Sequence, residues 1–322
     1  MNADLPRVLI TGGAGYIGQA VARRLAEQAG QYAVIVVVDV RAVDRDNQIA
    51  GVQYESCDVR NPAIQQLIIR YKINTVVHLA SIVNPGGPKH REIEYSIDVL
   101  GTKNVLDACV HAGVSQLVLA SSGAAYGYHA DNPIPLHEHH PLRGNTTFPY
   151  SDHKRQVEEI LKEYRRAHPQ LLQLIFRPCT VLGQQTRNSI TALLDRRRLL
   201  GLCGHDIPFV FVWDQDVADC IVQGIMNRSQ GIYNLAGDGV LTMKQIAQIM
   251  NKPMLRIPPW LLGLILRVLQ ILRLSRFGPE HVDFLRYRPV LANDRLKQEF
   301  GYTPKKSTLE VLQYYMHARQ NQ

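Results

Sequence analysis

The chain has 322 residues, 46% of them hydrophobic and 20% charged. That balance excludes a disordered chain and supports about two domains, or one domain with a large appendage. Lysines and arginines number 36 against 28 acids, a net charge of +8. This favours anionic partners, but the basic residues are scattered apart from Arg196-Arg197-Arg198, so no nucleic-acid partner is expected.

Val8-Leu9-Ile10-Thr11 is a short apolar strand ending in glycines. Ile17, Val21, Leu25 and Ala29 fall at helical spacing over 17–29. Ala33 to Val38 is a β-branched run that stops at Asp39, and Val52 to Cys57 follows as a strand. Asn61-Pro62 opens a helix, with Asn as N-cap and Pro at the first helical position. Thr75 to Leu79 reads as a buried strand, 89–112 as a long helix and Gln116 to Ala120 as a strand. Residues 149–167 are helical, and Leu171 to Arg177 is a strand again. Continuous apolar strands separated by helices predict a parallel sheet covered on both faces, a doubly wound α/β (Rossmann) fold.

The second half is richer in Pro and Gly. Residues 209–229 read as one more strand and helix returning to the first sheet, and 242–251 and 307–318 as short helices. The expected organisation is a Rossmann domain over 1–180 with a return at about 209–234. Residues 181–208 and 235–322 would form a smaller C-terminal substrate lobe.

Five cysteines with no CxxC pair argue against a disulfide framework and against a cysteine zinc site. Free thiols in a reducing cytosol are expected. The start, Met-Asn-Ala-Asp-Leu-Pro-Arg, lacks the features of a secretory signal, so the expected location is cytoplasmic. His137-Glu138-His139-His140 lies between Pro135 and Pro141 and lacks an i, i+4 histidine pair. It reads as a solvated loop, and no metal is expected.

Thr11-Gly12-Gly13-Ala14-Gly15-Tyr16-Ile17-Gly18 follows the first strand and opens the first helix. Gly13, Gly15 and Gly18 satisfy G-x-G-x-x-G, and Gly12, Gly15 and Gly18 a G-x-x-G-x-x-G spacing. Glycines there allow a tight turn whose amides meet a pyrophosphate at a helix N-terminus. Asp39 ends the second strand, where a carboxylate would take ribose hydroxyls. The expected cofactor is NAD, because Asp39 would repel a 2′-phosphate. Arg41 nearby leaves room for NADP.

Tyr150-Ser-Asp-His-Lys154 puts a phenol and an ammonium four residues apart, on one helix face. A phenol near pKa ~10 is a poor base at neutral pH, and a nearby cation stabilises its phenolate. Such a tyrosine can take a proton from a substrate hydroxyl while hydride leaves for a nicotinamide.

With these residues in view, the chain resembles the extended short-chain dehydrogenase/reductase superfamily, in its NAD-dependent epimerase/dehydratase family. Beyond the glycine turn and Tyr150/Lys154, the likeness includes Cys57-Asp58-Val59-Arg60, His78-Leu79-Ala80-Ser81 and Gly101-Thr-Lys-Asn-Val105. It continues with Ser121-Ser122-Gly-Ala-Ala-Tyr126-Gly127, Arg177-Pro178, Trp213-Asp-Gln-Asp-Val-Ala218 and Tyr233-Asn-Leu-Ala-Gly237. The resemblance implies catalytic roles for Ser122, Tyr150 and Lys154. It implies cofactor contacts at Gly12, Gly13, Gly15, Tyr16, Ile17, Gly18, Asp39 and Arg41. Asp58 and Val59 would meet the adenine. Leu79, Ala80, Ser81, Tyr150, Lys154, Arg177 and Pro178 would line the nicotinamide side. It further implies a homodimer packed through helices 89–112 and 149–167.

The sequence departs from the family pattern at three places. Asp98 stands where an Asn is usual, Cys179-Thr180 where sugar-nucleotide members often carry an Asn, and Phe209 to Trp213 where many carry an arginine that grips a diphosphate. Arg187 and Arg196 to Arg198 are the candidates to replace that arginine. Hydride transfer at a secondary alcohol of a sugar nucleotide is the first expectation. An NAD(P)-dependent dehydrogenase of an apolar, sterol- or lipid-like alcohol is the second, and a non-catalytic NAD-binding regulator the third.

Pro258 to Phe277 is the most unusual stretch. On a helical wheel Leu261, Leu264, Ile265, Val268, Ile271 and Leu272 fill one half. Arg267, Gln270, Arg273 and Arg276 occupy the other, with Leu262, Leu266 and Leu269 among them. Arg267 at its middle argues against a membrane span. The segment reads first as a well-buried helix of the smaller lobe. The alternative is an interfacial or lid helix, its leucines toward lipid or an apolar substrate and its arginines toward phosphate headgroups.

Overall fold

The computed structural model describes residues 5–28, 30–83, 90–272, 274–275 and 277–320. Seven parallel strands form the central sheet: β1 (Arg7–Thr11), β2 (Val34–Asp39), β3 (Gln53–Ser56), β4 (Thr75–His78), β5 (Gln116–Ala120), β6 (Leu172–Pro178) and, after four strands of smaller sheets, β11 (Gly231–Leu235). Their order is β11-β6-β5-β4-β1-β2-β3. The order reverses between β1 and β4, where Thr11 pairs with His78, and ligands of doubly wound sheets sit beyond such a switch point.

Alternation along the strands builds a core on each face. From β1, Val8 and Ile10 join Val21 and Leu25 of α1 (Tyr16–Ala26). Leu9 points the other way, into a cluster with Ile64 and Ile68 of α2 (Ala63–Arg70). As expected from the Asn-Pro pair, Asn61 caps α2: its Oδ1 accepts from Ala63 N at 2.9 Å. The expected helix over 89–112 is α3 (Arg91–Tyr95), a π turn over 96–100, and α4 (Gly101–His111). No sequence period marks that turn, which carries Asp98. Residue 89 and Ala29, each placed in a predicted helix, lie outside the described residues. The helix over 149–167 is α5 (Pro149–Ala167).

The region after β6 differs from expectation. β7 (Thr180–Leu182), α6 (Ser189–Leu194), β8 (Leu199–Leu202), β9 (Pro208–Phe209) and β10 (Phe211–Trp213) lead into α7 (Asp214–Met226). The strand expected near 209–213 does not rejoin the central sheet: β10 pairs with β7 instead. Only α7 returns, packing its Val217, Ile221 and Ile225 into the same core as α1, and β11 then adds the edge strand beside β6.

β12 (Leu241–Thr242), α8 (Met243–Ile249), β13 (Met254–Ile257), α9 (Pro259–Ile271), α10 (His281–Arg286), α11 (Asp294–Gln298) and α12 (Thr308–Gln320) follow. β12 pairs with β9 and β13 with β8. Leu199, Phe209, Phe211, Ile246, Leu312 and Tyr315 centre a third core here. The segment read as a well-buried helix is α9, and it is not well buried. Leu262 is its one buried residue among those described, because only one face of it packs on the protein. No described helix is long and apolar enough to cross a membrane.

Candidate active site

The glycine turn is fixed by close backbone approach. Gly12 has φ +67, and a Cβ there would lie 2.6 Å from Ala80 N. A Cβ on Gly18 would lie 2.5 Å from Gly12 O. The turn therefore closes directly on the Leu79–Ala80 segment after β4. No side chain caps α1 at Gly15, so its first amides remain available to a phosphate. Asp39 is buried beside this turn. Its carboxylate accepts from Ala14 N at 3.1 Å and from Arg41 N at 3.0 Å, and Arg41 Nε lies 3.3 Å away. Asp58 is held by Arg60 at 2.6 Å, and the buried Val59 packs where Gly101 leaves room for it. Ser81 Oγ is buried without a hydrogen-bond partner, a hydroxyl left for a ligand. These residues fit a dinucleotide lying across the switch point.

Tyr16 and Arg177 have other engagements. The Tyr16 hydroxyl donates to Asp214 Oδ2 at 2.5 Å, tying α1 to the start of α7. The Arg177 guanidinium is buried and donates to Glu158 at 2.6 Å, to Tyr126 Oη at 2.7 Å and to Glu138 O at 3.0 Å. Each of its three nitrogens donates to a protein group, while its neighbour Pro178 lines the cavity.

Ser122, Tyr150 and Lys154 come together at the end of β5 and the first turns of α5. The Ser122 hydroxyl sits beside the Tyr150 phenol and accepts from Ala124 N at 3.1 Å. Lys154 Nζ donates to Ala120 O at 3.3 Å and lies 5.8 Å from the Tyr150 ring centre. Burial pushes the phenol up to about 12, the neighbouring Ser122 hydroxyl opposes this, and the charge of Asp98 adds to it. Burial lowers the Lys154 pKa, against the pull of Asp98 and Glu158. Asp98 accepts from Ile82 N at 2.9 Å and faces His153 at 3.4 Å. His78 sits behind, between Thr11 and Thr102, its pKa lowered to about 3 by burial and by Lys154.

Ser122, Tyr150 and Lys154 face a cavity of about 730 Å³. Its walls are mostly apolar, with Val181, Leu193, Ile257, Leu266 and Phe284 among them. Of the four candidate arginines, Arg187, Arg196 and Arg198 reach its lining. The cation that sequence reasoning missed is Arg288. It stacks on Phe209, 4.6 Å from the ring centre, and on Phe284 at 5.0 Å. Its Nη2 donates to Thr180 at 2.7 Å, but its Nη1 is buried without a partner. Phe209 and Thr180, two of the departures from the family pattern, thus hold the guanidinium. The only sequence clue was an arginine next to Pro289.

The model of the NAD dependent epimerase/dehydratase family matches residues 8–236. An uncharacterized protein of Mycobacterium tuberculosis is 24% identical over 318 residues, 97% of this chain and 84% of that protein. A UDP-glucose 4-epimerase of Azospirillum brasilense is 30% identical over 254 residues, 71% of each chain. The structure of a UDP-glucose 4-epimerase of Thermus thermophilus in complex with NAD superposes with a TM-score of 0.74 at 23% identity, covering 97% of this chain and 99% of that one. The chain belongs to the NAD dependent epimerase/dehydratase family, of the extended short-chain dehydrogenase/reductase type. It is an enzyme, and its cofactor is NAD.

Proposed function

We propose that the chain interconverts a secondary alcohol and its ketone at the Ser122–Tyr150–Lys154 cluster, on a substrate that carries phosphate, as a sugar nucleotide does. NAD supplies the hydride acceptor. Tyr150 takes the hydroxyl proton, Ser122 hydrogen-bonds the same oxygen, and Lys154 holds positive charge near the phenolate. The observation that carries the reading is Ser122, Tyr150 and Lys154 brought together at the wall of one cavity. The partly unpaired guanidinium of Arg288 supports phosphate, because a buried cation is stabilised by an anion. Gly12 to Gly18 and Asp39 would hold the dinucleotide, with Leu79, Ala80, Ser81 and Pro178 along the nicotinamide.

The apolar walls favour a second reading, net oxidation of an apolar alcohol. An epimerase retains its cofactor through the cycle, whereas a net dehydrogenase must exchange it. Denaturing the purified protein and assaying the supernatant for NAD(H) separates the two. Stoichiometric cofactor supports the epimerase cycle; its absence, with steady NADH formation from an added alcohol, overturns it. We also propose a homodimer through α3–α4 and α5, supported by the exposed Ile93, Tyr95 and Leu100. Light scattering showing a monomer at micromolar concentration would refute it.

A further inference from the structure

Helix α9 is apolar on both sides. Of its thirteen residues only Arg267 and Gln270 are polar. Inward, Leu262 is buried, and Ile265, Leu266 and Leu269 line the cavity. Outward, Trp260, Leu264, Val268, Ile271, Leu272 and Leu274 are exposed, Trp260 at 71% and Ile271 at 72%. A helix that is apolar all round is normally surrounded by apolar material. Here one side has the cavity and the other has nothing among the described residues. Contiguous exposed apolar surface of this kind marks a contact site.

Charge selects the partner. From Gly239 to Pro279 the sequence holds six lysines and arginines and no acid. Lys244, Arg256 and Arg267 are exposed. A second copy of the chain would bring cation against cation, whereas an anionic lipid surface is attracted. At 1.5 Å per residue α9 is about 20 Å long, short of the ~30 Å hydrocarbon core, so it would lie in the interface rather than cross.

We propose that α9 lies on an anionic bilayer as the roof of the cavity, and that the site receives its substrate from that bilayer as a lipid bearing an anionic group. The lipid's apolar chain runs under Leu262, Leu266 and Leu269, and Arg288 holds its anionic group. This rests on the hydride-transfer reading only for what happens at the head of the cavity. The contact with the bilayer and the grip on the chain are binding properties.

The test therefore measures no turnover. Flotation is run at low salt with vesicles of phosphatidylcholine alone and with phosphatidylglycerol added. Wild type should float with the anionic vesicles and lose that association as salt is raised. Leu264→Ser/Val268→Ser/Ile271→Ser should stay at the bottom while still binding NAD, which shows that it is folded. Arg267→Glu, outside the core, should lose most of the anionic preference. In parallel, calorimetry follows soluble alkyl phosphates of increasing chain length. Each added CH₂ should tighten binding roughly fourfold, the transfer free energy of one buried methylene. Leu269→Asn should flatten that dependence, and Arg288→Ala should weaken every chain length alike. Wild type left at the bottom at low salt would overturn the membrane contact. So would self-association broken by the triple serine variant without flotation. Affinity independent of chain length would overturn the lipid substrate. If, in a separate activity assay, Tyr150→Phe kept its turnover while these binding results held, the chemistry proposed above would fail and this inference would stand.

Discussion

Asp98 faces His153 across 3.4 Å, with both side chains almost wholly enclosed and Lys154 the next residue along α5. The carboxylate is supplied by the π turn, and its negative charge raises the Tyr150 pKa. Proton abstraction requires the phenolate, so oxidation should accelerate as pH rises through the titration of Tyr150. Asp98→Asn removes the charge that disfavours the phenolate, and the rising limb should move to lower pH. The pH profile of kcat/KM for alcohol oxidation reads this directly. A limb that stays in place or moves up would show that Asp98 does not govern Tyr150.

Tyr150→Phe removes only the hydroxyl. Turnover should fall by about 10²–10⁴, the usual worth of a positioned acid/base. NAD affinity should hardly change, since Asp39 and the glycine turn are untouched. Single-turnover kinetics with a cofactor titration alongside separate the two effects. Near-normal turnover would remove Tyr150 from the reaction.

The parts of the site that were legible in the sequence are those built from neighbours along the chain. The glycine turn needs eight consecutive residues, and Tyr150 and Lys154 need one helical turn. Asp39 was legible because a β-branched run has a visible end. Arg288 was not, because 108 residues separate it from Thr180 and 79 from Phe209, and no period links them. The central sheet was readable from its apolar runs up to β6. Its last strand was not assigned, since 209–213 and 231–235 are both short apolar runs and only tertiary pairing chooses between them. For α9 the wheel separated two faces without fixing which one meets the protein. The leucines sorted with the arginines, Leu262, Leu266 and Leu269, face the protein, while Leu264 and Val268 face outward. Hydrophobicity alone cannot orient a helix that is apolar on both sides. Arg273 and Arg276, assigned to the polar half, lie outside the described residues.

Asp39→Ala should weaken NAD binding by about 1.5–3 kcal/mol, the scale of a hydrogen bond to a charged group. The structure adds a consequence. Arg41 now leans on the Asp39 carboxylate, and the substitution frees its guanidinium for a 2′-phosphate. The preference for NAD over NADP should narrow or reverse. Fluorescence titration with both cofactors checks this, and a wild type that binds NADP more tightly would contradict the role given to Asp39.

The last prediction concerns stability. Glu158 Oε1 accepts from Ser121 Oγ at 2.6 Å, and both Glu158 oxygens receive Arg177, whose other nitrogen reaches Tyr126 and Glu138. Both charged side chains are almost fully buried, at 4% and 3% exposure. Removing one partner of such a pair leaves the other charge without compensation in a poorly solvated place. Glu158→Ala should therefore cost about 3–5 kcal/mol, far more than the ~1 kcal/mol or less of a surface pair. Arg155–Glu159, next along α5 and more exposed, serves as the control: Glu159→Ala should change little. Because Ser121 precedes Ser122, Glu158→Ala should also loosen the serine proposed to meet the substrate oxygen and lower turnover in the protein that remains folded. Urea unfolding of the two variants beside wild type, at unchanged slope, gives the comparison. Equal losses for Glu158→Ala and Glu159→Ala would show that the buried pair carries no special share of the stability.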